Sequence, residues 1–264
     1  MAEELPRPVA FRGGGFAPRL RYAVGAATII GLIALWAVAS RRGWVSPIAL
    51  PAPEEVATAF IRLARSGELA RHLEASLSRL AAGFVLGTFA GIVVGLAIGL
   101  LSLARSAGVP LIAALFPIPK IALLPLFIVW FGIGEASKVA TIAFGAFFPV
   151  AVATYGGVDG VDRSLIRMAQ SFGLPAAAIV RKIVLPGALP AILSGLRIAA
   201  SIAIILIVAA EMIGANTGIG AFILAAGNLM QTDQLVAGVL VLSLLGLVIA
   251  ALIGAAERYL LRWR

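Results

Sequence analysis

The segment AQSFGLPAAAIVRKIVLPGALPAILSGL, residues 169–196, lies between two long apolar runs and is neither a clean membrane span nor a polar loop. Gly173, Pro175, Pro186 and Pro190 punctuate it, and Arg181 and Lys182 are its only charges. Just upstream, Asp162 suits a helix N-cap ahead of Leu165, Met168, Ala169 and Phe172, which follow at helical spacing and define one apolar face. Arg163, Arg167 and Ser171 fall off that face. Gly173 suits the left-handed residue that closes a helix. Pro175 can start a second helix running through Ile179 and Ile183 to Pro186. The stretch thus predicts a short helix, a glycine turn and another short helix. Such a helix suits docking into a partner's groove; it also suits lying flat on a membrane.

Working outward, the chain has 264 residues, 61% hydrophobic and 12% charged, and its mean hydropathy is +1.07. Soluble domains are about half apolar and a quarter charged, so the composition predicts an all-α polytopic membrane protein. Six segments approach the roughly 20 apolar residues needed to cross a bilayer as helix: 22–39, 81–103, 109–131, 138–157, 189–212 and 235–256. No cleavable signal peptide is expected, since residues 1–21 are polar and contain Arg, and the first apolar run is long enough to stay in the membrane. There is no cysteine and one histidine, His72. That excludes disulfides and thiol catalysis and leaves little for a metal site or a Ser–His–Asp arrangement. The net charge of +9 is read as topology rather than as nucleic-acid binding, because Arg and Lys hold short loops on the cytoplasmic side.

With the N-terminus inside, residues 1–21 form a cytoplasmic segment and residues 22–264 the transmembrane domain. Arg105, the group Arg163, Arg167, Arg181 and Lys182, and the tail Arg258, Arg262 and Arg264 are then cytoplasmic. A cytoplasmic loop covers 158–188, and the loop at 213–234, without Lys or Arg, faces out. Residues 40–80 form an outer amphipathic region that objects to the rule, because it carries Arg41, Arg42, Arg62, Arg65, Arg71 and Arg79. Within it, Pro53, Glu54 and Glu55 start a helix and Ser66-Gly67 ends it; Leu69, Leu73, Leu77 and Leu80 begin a second amphipathic run. Two interfacial helices are the plain reading, and a part in gating substrate is the sharper one.

In the second span Gly83, Gly87, Gly91, Gly95 and Gly99 recur every fourth residue, a pattern that lets helices approach closely. The stripe drifts about 40° per repeat on a 3.6-residue helix, so a partner is expected to cross at an angle. The third span contains Pro117, Pro119, Pro125 and Lys120. An ionisable group at that depth is a functional candidate, and proline-broken spans are tolerated along water-filled paths. Lys120 therefore either lines a translocation path, where it would favour an anion, or snorkels or pairs with an acid such as Glu211. Glu211, near the end of the fifth span, faces a path mouth or sits at the interface. Arg197 lies about two turns into the same span. Asn228 and Asp233 are solvated loop residues or contacts for a partner.

The spacing from Gly173 across nine residues to Ile183-Val184-Leu185-Pro186 resembles the EAA loop of ABC importer permeases, EAA-x3-G-x9-I-x-L-P. Arg167-Met168-Ala169 stands where that family has its EAA triplet, so the acidic residue is absent. PIPKIALLPLFIVWFGIG at 117–134, FGAFFPVAVATYGGVDGVD at 144–162, AEMIGANTGIG at 210–220 and LPAPEEV at 50–56 are similar to permeases of the nitrate, sulfonate and taurine group. The resemblance implies a type I importer permease fold with about six transmembrane helices in the bacterial inner membrane. It implies a second permease chain, in a homodimer, and ABC ATPase subunits that consume the ATP. It also implies a periplasmic or lipid-anchored solute-binding protein that delivers a small anionic solute. Asp162, Leu165, Met168, Ala169, Phe172, Gly173, Ile183, Leu185 and Pro186 would then form the coupling element that meets the ATPase. The chain has no G-x4-G-K-[ST] phosphate loop. No cofactor bound by this chain is expected, no nucleic acid, and no partner beyond the protein subunits and membrane lipid. The rival is an ion-coupled secondary transporter, which needs no ATPase; such proteins carry intramembrane acids for proton relay, and these spans hold almost none.

The charge bias predicts six spans with both termini cytoplasmic. A cysteine placed at Thr217 should react with an impermeant reagent added outside, and one at Ser164 should not. The reverse pattern would overturn the topology.

Overall fold

A computed structural model describes residues 22–263, all helix, turn and loop. The chain divides after Val56 into two units, described separately. The first contains α1 (Tyr22–Arg41), 20 residues without an internal charge and long enough to cross a bilayer. Beyond it the chain folds back: Trp36 Nε1 donates to Pro51 O at 2.9 Å and Arg41 pairs with Glu54 at 3.0 Å. Helix α2 (Pro53–Arg65) begins at the expected proline. Glu55 accepts from the Ala52 N–H at 2.9 Å, so a side chain satisfies a donor that the first turn leaves free. Residues 1–21, expected to be a cytoplasmic segment, lie outside the described residues.

In the second unit, Gly67 at φ +76° separates α2 from α3 (Glu68–Leu100). The amphipathic run 69–80 is therefore no separate interfacial helix. It is the first third of a 33-residue helix, about 50 Å long at 1.5 Å per residue and so longer than the membrane core is thick. Nothing breaks it, because no proline or turn residue falls between Glu68 and Gly83. Next come α4 (Ser102–Leu115), a 3₁₀ turn at Lys120–Leu123 and α5 (Leu124–Phe131). Helix α6 (Glu135–Asp159), α7 (Arg163–Ser171) and α8 (Ala176–Ile179) follow. A π turn at Val180–Val184 then leads into α9 (Leu185–Gly214), α10 (Ile219–Asn228) and α11 (Thr232–Leu260).

Helix α6 is the centre, with half of its apolar window buried and Ile142, Ala146, Val150 and Ala151 wholly enclosed. All five stripe glycines of α3 face it. A Cβ on Gly83 would meet Ile142, on Gly87 the Ala143 carbonyl at 2.3 Å, on Gly91 the Phe147 carbonyl, on Gly95 Thr154 and on Gly99 Val158. The register rises together on both helices, so they run parallel, and α6 follows the stripe from end to end. Helix α9 packs antiparallel on another side of α6: Gly145 lies against Leu206, Gly195 against Ala153, and Gly157 against Ala188 and Ala191. Small residues at these contacts let backbones approach where lipid supplies no hydrophobic drive.

The third span is broken, as its prolines lead one to expect. Its two parts, 102–115 and 120–131, meet at 92°, because Pro117 and Pro119 supply no N–H and fix φ at the break. It still connects both ends of α6. Arg105 Nη1 pairs with Asp159 at its C-terminus at 2.7 Å, while Gly132–Gly134 leads into its N-terminus at Glu135. With this broken span the apolar helices make up to six crossings. The second short helix of the opening segment does depart from expectation. It does not stop at Pro186 but continues through the π turn into α9, as one apolar helix from Ala176 to Gly214. There the Leu185 N–H reaches back to Val180 O, and this wider turn absorbs the N–H that Pro186 lacks.

A side chain at Gly87 has no room. Gly87→Leu should lower the melting temperature in detergent by the equivalent of about 1–3 kcal/mol or more. Gly31→Leu on α1, where nothing lies within 4 Å, should leave it unchanged. Equal melting of the two variants would show that the stripe does not hold α3 to α6.

Candidate functional site

At the C-terminal end of α6 the chain turns into α7. Asp162 caps it, its carboxylate accepting from the Ser164 N–H at 2.8 Å. That backbone hydrogen bond holds the Asp162 carboxyl below its usual range. At the other end Gly173 has φ +71°. Its N–H donates to Gln170 O at 2.9 Å and the Leu174 N–H to Ala169 O at 3.1 Å, the paired bonds of a Schellman closure. Both ends of a nine-residue helix are thus fixed by local chemistry.

The expected apolar face splits in two. Leu165, Met168 and Phe172 are exposed, Phe172 by 76%. Ala169 is not on that surface: it is 3% exposed and packs with Val158, Val161, Ile179, Val184, Ala188 and Ile192, against which Ile166 and Ile183 also lie. Ala169 therefore anchors α7 to its own domain, because a residue four positions after Leu165 is rotated by about 40° from it. Leu185 and Pro186 are half-buried in the helix that becomes α9. Arg163, Arg167, Arg181 and Lys182 are exposed around this projection.

Among the described residues Lys120 pairs with neither Glu211 nor another acid. Its ammonium donates to Phe116 O and to Leu115 O, 3.4 Å away. It lies 5.1 Å from the Phe116 ring centroid and 4.8 Å from that of Phe148. A cation on the last carbonyls of α4 satisfies acceptors that the helix end leaves free, so Lys120 secures the break in the third span.

Glu211 lies inside the protein. It is 1% exposed, and its carboxylate accepts from Ser76 Oγ at 2.8 and 2.9 Å, Arg79 Nη1 at 2.8 Å and the Gly220 N–H at 2.9 Å. Arg79, 5% exposed, uses all five of its N–H groups. Nε and one Nη2 hydrogen grip Glu135 at 2.5 and 2.8 Å, Nη1 reaches Glu211 Oε1 and Thr217 O, and Nη2 also reaches Thr217 Oγ1 at 3.2 Å. Lys138, 4% exposed, donates to Gly134 O at 2.8 Å. The cluster joins α3, α6, α9 and the loop before α10. Among the described residues no buried side-chain polar atom lacks a partner. Sequence reasoning missed this assembly because it counted Arg79 as a loop charge. The available signal was Glu211 itself, since an acid in an apolar span requires a partner. Elsewhere Arg197 pairs with Glu257, and Asp233 with Arg62 at 3.4 Å. Asn228 lines a surface hollow of about 360 Å³ with Glu68, His72, Asn216 and Phe222.

These features define an all-α membrane protein: tightly packed crossing helices, a span broken by prolines, and a capped helix held out at one end. Residues 83–263 match the family described as binding-protein-dependent transport system inner membrane component, and the chain belongs to that family. Among its relatives are putative aliphatic sulfonates transport permeases SsuC of Escherichia coli strain K12 and of Bacillus subtilis strain 168. The first is 39% identical, covering 89% of both chains; the second is 38% identical over 88% of this chain and 84% of the relative. The taurine transport system permease TauC of Escherichia coli strain K12 is 36% identical over 89% and 88%. Among solved structures, a crystal form of the MetNI methionine ABC transporter in an inward-facing conformation aligns with a TM-score of 0.60. It covers 73% of this chain and 97% of that one at 23% identity, and so shares the type I importer fold. The chain is thus a multi-pass inner-membrane transport subunit.

Removing the Arg79 fork would strand the buried Glu211 carboxylate, while Glu135 keeps access to solvent. Arg79→Met should destabilise the folded protein by several kcal/mol, up to about 3–5. Arg79→Lys should rescue little, since an ammonium offers three donors where five acceptors wait. Thermal unfolding of the three proteins in detergent measures this; full rescue by Lys would show that charge alone matters.

Proposed function

We propose that the chain pairs with a second copy of itself to form the translocation path of an ATP-driven importer for small organosulfonates, including the aminosulfonate taurine. The names of the sulfonate and taurine relatives support the substrate class. Nitrate remains the third member of the expected group and is an outcome of the same assay. A solute-binding protein delivers the substrate from outside, and ATP is consumed by separate ATPase subunits. Both termini are cytoplasmic.

The observation that carries the coupling reading is the exposure of Leu165, Met168 and Phe172 on a helix capped at both ends. Three large apolar side chains held rigidly in this way fit a hydrophobic groove with little ordering cost, because the helix is already formed. The surrounding Arg163, Arg167, Arg181 and Lys182 suit an acidic rim on the ATPase.

Changing Met168 and Phe172 together to Ser should leave the folded permease intact, since both are exposed, while loosening the ATPase. Gly173→Val forces a β-branched residue to φ +71° and should tilt α7. Both variants should lose substrate-stimulated ATP hydrolysis and part of the co-purifying ATPase. Wild-type retention and stimulation in both would reject this coupling element. In uptake assays with the complete complex, taurine or an alkanesulfonate should compete with labelled substrate, nitrate should not, and uptake without ATP would favour an ion-coupled carrier.

A further inference from the structure

His72, the chain's single histidine, is unused by the coupling reading and is 6% exposed. Its Nδ1 lies 3.0 Å from the nitrogen and 3.0 Å from the oxygen of the same residue, Gly218. Gly218 has φ +128°, and a Cβ there would meet the Glu211 carboxylate at 2.3 Å. The preceding peptide is held by Arg79 through Thr217 O. Gly218 O also receives the Phe222 N–H at 3.0 Å, in the first turn of α10. One imidazole nitrogen therefore faces both hydrogen-bonding groups of a residue that has no other place to go. The ring is steadied by Phe222, its centroid 5.4 Å away.

We propose that His72 is a proton-operated latch on the loop that starts α10. In the neutral ring Nδ1 accepts the Gly218 N–H. Protonation puts a hydrogen on both ring nitrogens, so Nδ1 can no longer accept. The Gly218 N–H is then stranded, while Nδ1–H can reach Gly218 O, which already accepts the Phe222 N–H. Losing an acceptor for a buried donor is costly, so acid loosens residues 215–222. The proton has a route, since His72 lines the hollow with Glu68, Asn216 and Asn228.

The charged groups around it are Glu68 and Arg79 on α3, Glu211 on α9, and Glu135 and Lys138 on α6, which act through Arg79; α10 contributes none. Arg79, Glu135 and Glu211 are locked to one another. Histidine is the side-chain type whose charge can change near neutral pH, and His72 is the histidine that holds this loop. On the proposed orientation this end faces outside, so the latch would report external acidity.

The test is amide hydrogen exchange on the full chain in lipid nanodiscs from pH 7.5 to 5.0, corrected for intrinsic rates. It needs no transport, so it stands or falls separately from the import reading. Protection at residues 218–222 should fall with acid, approaching about tenfold per pH unit, the limit for one coupled proton. Residues 139–150 should stay protected. In His72→Asn the side-chain oxygen replaces Nδ1 as acceptor and does not titrate, so protection should persist across the range. Constant wild-type protection, an equal loss at 139–150, or a parallel loss in the Asn variant would overturn the latch. If the Asn variant does not fold, the wild-type profile still decides.

Discussion

A guanidinium buried beside a membrane core has nowhere to leave a donor unused. Arg79 meets that constraint by giving all five N–H groups to Glu135, Glu211 and Thr217, and the arrangement of one end of the molecule follows from it. An isolated buried charge costs many kcal/mol, and a half-satisfied pair is worse than an apolar core. The two carboxylates and the nearby Lys138 make the group electrically neutral. Its geometry sets where α3, α6 and α9 end relative to one another. It also fixes the loop to α10, because Thr217 and Gly220 take part through their backbones. The glycine seam begins one turn beyond Arg79, at Gly83, so the charged cluster and the seam share one register.

The glycine repeat was legible in the sequence because its message is steric and local: five positions on one helix without a Cβ admit one close partner. The sequence does not say which partner, since α6 lies some 50 residues further on and its matching surface of Ile142, Ala143, Phe147, Thr154 and Val158 has no comparable regularity. The caps of α7 were equally legible, as Asp162 and Gly173 act within three residues of themselves. Chemistry that closes over a few residues can be read in order along the chain. The Arg79 cluster closes over separations of 56 and 132 residues, and each member alone looks like an ordinary interfacial charge.

A proline's effect depends on what takes over the missing donor: Pro186 was read as the end of a helix, whereas Pro117 and Pro119 were read as breaking the third span. At Pro117 and Pro119 the freed carbonyls take the Ile118 N–H and the Lys120 ammonium, and the span bends by 92°. At Pro186 a π turn widens the helix by one residue and carries it straight on. Ala169 was misplaced for a related reason. An apolar stripe drawn from spacing has a width, and on so short a helix one side of it was needed to hold the element to its own domain. Burial of Ala169 beside Ile179 and Val184 is what keeps Leu165, Met168 and Phe172 exposed together.

Continuity of the helix from Ala176 to Gly214 gives these two ends a mechanical relation. At 39 residues it is about 58 Å long, enough to cross the membrane and project beyond it. Its first turns pack under α7, and its last carry Glu211 into the Arg79 cluster. A helix transmits displacement along its axis far better than a loop does, because every residue is held by hydrogen bonds to its neighbours. The place where it can yield is the π turn at Val180–Val184, where Pro186 has already removed one such bond. Movement imposed on α7 and α8 therefore divides between a bend at that turn and a shift of α9 against α6. The shift meets its firmest resistance at the far end, where Glu211 is held by Ser76, Arg79 and Gly220. If His72 is the proposed latch, loosening the loop at Gly218 would lower that resistance.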